Sequence, residues 1–331
     1  MNAMTENSPA FPTNEPPEIQ VRTHDRYHGV MKACAALPPV RTAIVHPVDA
    51  MALKAVYNAV QENLIEPVLC GPSQRIKDAA AESKIDISKW ELVDTKFSHA
   101  SADKAAELAS AGKVDAIMKG SLHTDELLFP IVSPNSGLRT GRRLSHSYVM
   151  DTAGYHKWLI ITDAVVNIAP DLGTKADICR NAANVWRALS TEDRLPKIAV
   201  LAAVEVINAK MQATLDAAAL CKMAERKQIA GCIIDGPLAF DNAISKEAAE
   251  EKGITSSVAG DPDILLTPDI EAGNILAKQL TFINKADAAG IVMGARVPVI
   301  LTSRADNLRT RLLSCALAVL VAQAMREGRI K

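Results

Sequence analysis

The chain has 331 residues, 48% hydrophobic and 23% charged, and its 37 Lys+Arg against 38 Asp+Glu leave a formal net charge of -1. That length suits two lobes of ordinary domain size, and the balanced charge excludes the overall basic field that draws in polynucleotide phosphates. With only 4% aromatic residues, buried parallel strands under Ala-rich helices are expected in place of an aromatic-rich β-sandwich, an α/β class.

Residues 1–24 hold Glu6, Glu15, Glu18 and four prolines with no apolar run, so they read as a disordered lead-in and not as a signal or transit sequence. From Val40 onward short β-rich runs alternate with helical stretches, which predicts a parallel sheet covered on both faces, a three-layer arrangement. The first half gives strands at 41–46, 67–70, 91–94, 114–119, 145–150 and 158–162, with helical spacing over 50–62 and 102–111. The second half gives strands at 197–201, 232–235, 264–267, 290–292 and 297–301, with helices starting near Thr174, Asn208, Ala243 and Ile270 and a last one over 307–326. Breaks at Pro130–Gly141 and Gly290–Pro298 divide the chain into a discontinuous first lobe, 25–140 plus 294–331, and a second, 141–293, with the site in the cleft between them. The apolar run Cys315–Ala322 is far shorter than the roughly 18 residues of a membrane span. Six cysteines without Cys-x-x-Cys or zinc-type spacing read as reduced core thiols of a cytoplasmic protein.

Five stretches carry polar groups where α/β proteins bind ligands, at the carboxyl ends of strands. In 298–306 an apolar strand ends in Thr302, Ser303, Arg304 and Asp306; the arginine fork suits phosphate or carboxylate, and the plainer reading is a helix cap with a surface ion pair. In 114–124 a strand leads into Lys119, Gly120, Ser121, His123 and Thr124, where a glycine admits a close ligand and a helix start offers N–H groups to an anion. In 233–243 a strand delivers Asp235 and Gly236, and Asp241 follows; both carboxylates equally serve as turn and cap residues. In 266–274 Asp269 and Asn274 flank a glycine whose use in a helix is explained by close packing or by a ligand. Arg139, Arg142 and Arg143 form a basic turn at the expected hinge, a phosphate receptor or a solvated face. Gly-x-Gly-x-x-Gly, Gly-x4-Gly-Lys-Ser/Thr, Gly-x-Ser-x-Gly and His-Glu-x-x-His are all absent, which lowers dinucleotide redox, P-loop, serine hydrolase and zinc protease chemistry.

Together these stretches resemble the phosphate acetyltransferase and phosphate butyryltransferase family, its butyryltransferase-like branch in particular. The likeness runs from Pro39 to Ala324 and is carried by Met118-Lys-Gly-Ser-Leu-His123, Ile234-Asp-Gly-Pro-Leu-Ala-Phe-Asp241, Pro268-Asp269 with Gly273-Asn274, and Leu301-Thr-Ser-Arg-Ala-Asp306. It implies a two-domain α/β homodimer related in fold to the isocitrate and isopropylmalate dehydrogenases. The implied reaction is reversible transfer of a short acyl group between coenzyme A and inorganic phosphate. Acyl-CoA, phosphate and acyl phosphate are then the small-molecule partners, coenzyme A is a substrate, no metal or redox cofactor is needed, and neither nucleic acid nor membrane takes part. Ser303 and Arg304 take the roles of the family's Ser-Arg pair on the transferring group. Two departures stand out. Thr310 occupies the place, seven residues after the serine, where the acetyl-transferring type has aspartate, which makes Asp306 the expected base, with Asp235 or Asp241 behind it. Phe129 replaces an arginine before Pro130, so the second phosphate contact is sought among Arg139, Arg142 and Arg143. The competing readings are a dehydrogenase of the same fold and a coenzyme A or acyl phosphate sensor without turnover.

Overall fold

The computed structural model describes residues 26–303 and 305–330; the lead-in 1–24 and Arg304 lie outside the described residues. Eleven strands form one sheet in the order β3-β2-β1-β4-β11-β10-β5-β6-β9-β7-β8. They are β1 Val40–Val45, β2 Ile65–Gly71, β3 Glu91–Asp94, β4 Ala116–Lys119, β5 Ser145–Asp151, β6 Leu159–Thr162, β7 Lys197–Leu201, β8 Ile233–Leu238, β9 Ile264–Leu266, β10 Asp287–Met293 and β11 Val299–Ile300. The helices are α1 Arg26–Ala35, α2 Ala50–Gln61, α3 Ser73–Ser83, α4 Ser98–Ser110, α5 Thr124–Val132, α6 Leu172–Leu189, α7 Gln212–Glu225, α8 Phe240–Ile244, α9 Lys246–Glu251, α10 Ile270–Lys278 and α11 Leu308–Arg326, and α10 runs on into a π-helical turn, Gln279–Ile283.

The central strands are short runs of Val, Ile, Leu and Ala buried along most of their length, as strands covered on both faces must be. One core cluster lies under α1, α2, α3, α6 and α11, with Leu53, Val56, Ile76, Trp186 and Leu317 among its members. A second, containing Ala105, Leu127 and Ile131, lies under α4 and α5 on the other face. Pro130, expected to break the chain, is inside α5, which ends two residues beyond it at Val132. The expected helix near Ala243 is two short ones, because Ser245 adopts an extended backbone and caps α9 by accepting from Ala248 N at 3.2 Å. Helix α11 has the length and apolarity of a membrane span, but 72% of that window is buried inside the fold, and it packs against α1, α6 and β10.

The sheet is not wholly parallel. β4 and β11 run with β1, β2 and β3, β10 is antiparallel to both β11 and β5, β5 is antiparallel to β6, and β9, β7 and β8 follow β6. The reason is loop length. A parallel crossover needs a dozen or more residues, and the links 152–158 and 294–298 are shorter and carry no helix. The consequence governs the site: the carboxyl ends of β1, β4 and β11 lie along one edge of the sheet, and those of β6, β9, β7 and β8 lie along the other.

Candidate active site

At the first edge the chain leaves β1, β4 and β11 side by side. After β1, Asp49 caps α2, its Oδ1 accepting from Ala52 N at 2.8 Å and its Oδ2 from the Ser121 hydroxyl. After β4, Gly120 N donates to Val45 O at 3.0 Å and Ser121 N to His46 O at 3.0 Å. A Cβ on Gly120 would lie 2.3 Å from Val45 O. The neighbouring backbone by itself therefore requires a glycine here. After β11, the turn closes on itself: Ser303 N donates to Asp306 Oδ2 at 2.6 Å and Asp306 N to Ser303 O at 3.2 Å. Asn307 caps α11, accepting from Thr310 N at 2.8 Å. Neither Thr302 nor Ser303 is used as the cap.

These loops enclose a small cavity of about 30 Å³ lined by Asp49, Met51, Lys119, Ser121, Ser303 and Arg311 together with Ala52, Gly120 and Thr302. Arg311, from the first turn of α11, straps the Ser303–Asp306 turn, with Nε donating to Asp306 O at 3.1 Å and Nη2 to Ser303 O at 3.3 Å. Burial raises the Asp306 carboxyl above its ordinary value, against the Ser303 N–H and the charges of Arg311, Lys278 and Lys119. Burial acts the same way on Asp49, but the hydrogen bonds from Ser121 and the α2 amides and the charge of Arg311 win, and its carboxyl stays below the ordinary value. The edge thus sets an ionised cap, a hydroxyl and a more basic carboxylate among three cations, an arrangement that can hold an anion and accept a proton.

The family described as "Phosphate acetyl/butaryl transferase" matches residues 95–319. A phosphate acetyltransferase of Rhizobium meliloti is 50% identical over 305 residues, 92% of this chain and 96% of that protein. The chain belongs to this family. A phosphate butyryltransferase of Clostridium beijerinckii is 42% identical over 286 residues, 86% of this chain and 94% of that one. The crystal structure of a branched-chain phosphotransacylase from Enterococcus faecalis V583 superposes with a TM-score of 0.74 at 29% identity, covering 85% of this chain and 99% of that one.

Of the residues this phosphate acyltransferase-family sequence singles out, the structure brings Lys119, Gly120, Ser121, Thr302, Ser303 and Asp306 together; Arg304 lies outside the described residues. His123 and Thr124 sit next along, at the start of α5, with His123 exposed and its ring making no cap bond. Asp235 and Gly236 are on β8, six strands from β11, roughly 29 Å at about 4.8 Å per strand, and β8 points to the other edge. Asp241 pairs there with Lys252 at 3.1 Å. Asp269 caps α10 by accepting from Ala272 N at 2.9 Å, and Asn274 donates to Ala164 O at 3.1 Å. Within one chain β8 and β9 thus carry these residues out at the edge opposite the carboxyl end of β11. Gly273 is explained by packing alone, since a Cβ there would lie 2.5 Å from Asp163 O.

Arg139, Arg142 and Arg143 lie at the opposite end of the sheet from Ser303 and do not join this cavity. They precede Ser145, which pairs with Met293 at the end of the sheet where β11 begins, whereas Ser303 follows the end where β11 stops. Asp49, Arg311 and Lys278 take the neighbourhood instead. Asp49 carried a readable signal, a carboxylate just past the end of a strand. Arg311 and Lys278 did not, because each lies within a helix whose register only the fold reveals.

Proposed function

We propose that the chain transfers a short acyl group reversibly between coenzyme A and inorganic phosphate, acetyl in preference to butyryl, at the edge built by Ser303, Asp306, Lys119 and Ser121. The observation that carries this reading is the shared cavity, where the Ser303 turn, the Lys119–Ser121 loop and Arg311 face one another. A phosphate oxygen attacks the thioester carbonyl carbon, the C–S bond breaks, and coenzyme A leaves as the thiolate and takes up a proton. In reverse, the Asp306 carboxylate accepts the thiol proton, the thiolate attacks the acyl phosphate carbonyl, and the C–O bond to phosphate breaks. Arg304 and Lys119 hold the phosphate, with Arg311 supplying the second guanidinium that Phe129 lacks. The Ser303 hydroxyl donates to the carbonyl oxygen as it gains charge. Holding both reactants side by side removes roughly 7–11 kcal/mol of the barrier. Burial of Asp306 brings its carboxyl closer to the thiol it serves.

The acetyl preference is supported by the higher identity to the acetyl-transferring relative, 50% against 42% for the butyryl-transferring one. No metal or redox group enters these steps. Six free thiols, with Cys34, Cys70 and Cys315 pushed up to about 12 by burial, suit a reducing cytoplasm. Ile275, Phe282, Ile283 and Leu308 are exposed along α10, the π-turn and α11 and suit the contact of a homodimer. The test follows thioester loss from acetyl-CoA and butyryl-CoA with phosphate varied, with and without NAD and divalent metal. Loss that tracks phosphate alone, faster for acetyl-CoA, is expected; loss indifferent to phosphate would contradict the reading.

A further inference from the structure

The arginine turn, at the opposite end of β11 from Ser303, has a cavity of its own. About 580 Å³ in volume, it is lined by the outward face of α5, Leu128, Phe129 and Val132, and by Arg139, Arg142 and Arg143, within the usual 300–1,000 Å³ of small-molecule sites. The turn is held from several sides. Arg139 bridges to Ala295, Thr140 Oγ1 donates to Gly294 O at 2.6 Å, Arg143 N donates to Asp177 Oδ2 at 3.1 Å, and Asn181 Nδ2 donates to Arg143 O at 2.9 Å. Gly294 sits under it at φ +104, where a Cβ would lie 2.3 Å from Arg143 O, so the packing admits no side chain.

Two features of this turn lack an internal explanation. Arg142 Nη1 is sealed from solvent with no hydrogen-bond acceptor among the described residues, and the charges acting on its guanidinium are Arg180 and Arg187 against Asp177 alone. Arg142 as a whole is half-buried and lines the cavity, and an anion there would offset the like charges beside its guanidinium. Phe129, a large ring on the same cavity, is 73% exposed.

We propose that this cavity binds a phosphorylated ligand with a flat apolar body, a nucleotide, its phosphates on Arg142 and Arg143 and its ring on Phe129. Paired N–H donors match phosphate oxygens, and the apolar face of α5 matches a base. Two sources share that chemistry: a free nucleotide acting away from the acyl-transfer edge, and the nucleotide end of coenzyme A, which alone rests on the function proposed above.

Calorimetric titration with adenosine 3′,5′-bisphosphate tests the site in the wild type, Arg142→Met and Phe129→Ala. The wild type binds; each variant binds at least tenfold more weakly, and Arg142→Met also melts at a higher temperature, because it keeps the aliphatic stem and removes the unpaired charge. Wild-type affinity in Arg142→Met, or no binding to the wild type, overturns the proposal whatever the turnover. A tenfold rise in KM for coenzyme A in Arg142→Met, with competitive inhibition by the bisphosphate, assigns the site to the substrate's own nucleotide. An unchanged KM with noncompetitive inhibition assigns it to a free nucleotide. Weakened binding in a protein that forms no acyl phosphate would leave the site standing and remove the acyl-transfer reading instead.

Discussion

At the scale of single residues the account rests on Ser303 and Asp306, held in a closed turn by their own backbone. Among the described residues the Ser303 hydroxyl accepts only a long bond, 3.3 Å, from Ala305 N, so Ser303→Ala should cost no more than about 1 kcal/mol of stability. It should lower kcat for acetyl phosphate formation by roughly 10²–10³ if the hydroxyl serves the reacting carbonyl, and wild-type turnover in that variant would remove it from the site. Asp306→Asn keeps an oxygen for the Ser303 N–H but cannot take a proton. Because burial raises the folded carboxyl, the folded state holds its proton to higher pH than the unfolded chain, so the group contributes less stability as pH rises through that window. At neutral pH the asparagine variant should therefore melt no lower than wild type, and its rate with coenzyme A as nucleophile should lose the acid limb that wild type shows above the ordinary carboxylate range. A retained limb would assign the base elsewhere. The sequence pointed to the Ser303 turn and the Lys119 loop because polar groups just past apolar strands are visible in one dimension. Arg311 and Lys278 were hidden because their relevance depends on which way a helix end faces.

At the scale of elements, short range dominates what could be read. Most strands fall within a residue or two of their expected positions, as 91–94 and 197–201 do without change. Direction was the failure. The period of βα alternation suggested one parallel sheet, whereas the short links after β5 and β10 force reversals, and those reversals move Asp235, Asp241 and Asp269 to the far edge. The cap of α11 gives a test at this scale. Asn307→Ala removes the acceptor for Thr310 N and should cost about 1 kcal/mol by denaturant unfolding, with turnover falling as well because Asn307 joins the Ser303 turn to the helix that carries Arg311. Lost stability with full turnover would separate the cap from the site.

At the scale of the whole molecule, one continuous sheet joins the segments on either side of residues 140 and 294, and β11 returns the C-terminal segment beside β4. In its middle, on β5, His146 is fully buried, and burial drives its ring down to about 4, with Asp163 opposing. The folded state thus binds fewer protons there than the unfolded chain between the ordinary imidazole value and about 4, so stability is lost as pH falls through that window, at roughly 1.4 kcal/mol per unit of pKa. His146→Gln should flatten the pH dependence of unfolding by about one proton over that range; an unchanged slope would place the acid-labile group elsewhere. The exposed apolar residues of the π-turn and α11 predict a dimer by light scattering, which Ile283→Lys should weaken.

The most direct measurement follows acetyl phosphate formed from acetyl-CoA as phosphate is raised, in the wild type and in Arg304→Lys. An ammonium keeps the charge but loses the paired donors. The account predicts saturation by phosphate in the wild type and a kcat lower by roughly a hundredfold in the variant at an unchanged melting temperature; equal rates in the two proteins, or a wild-type rate that ignores phosphate, would contradict it.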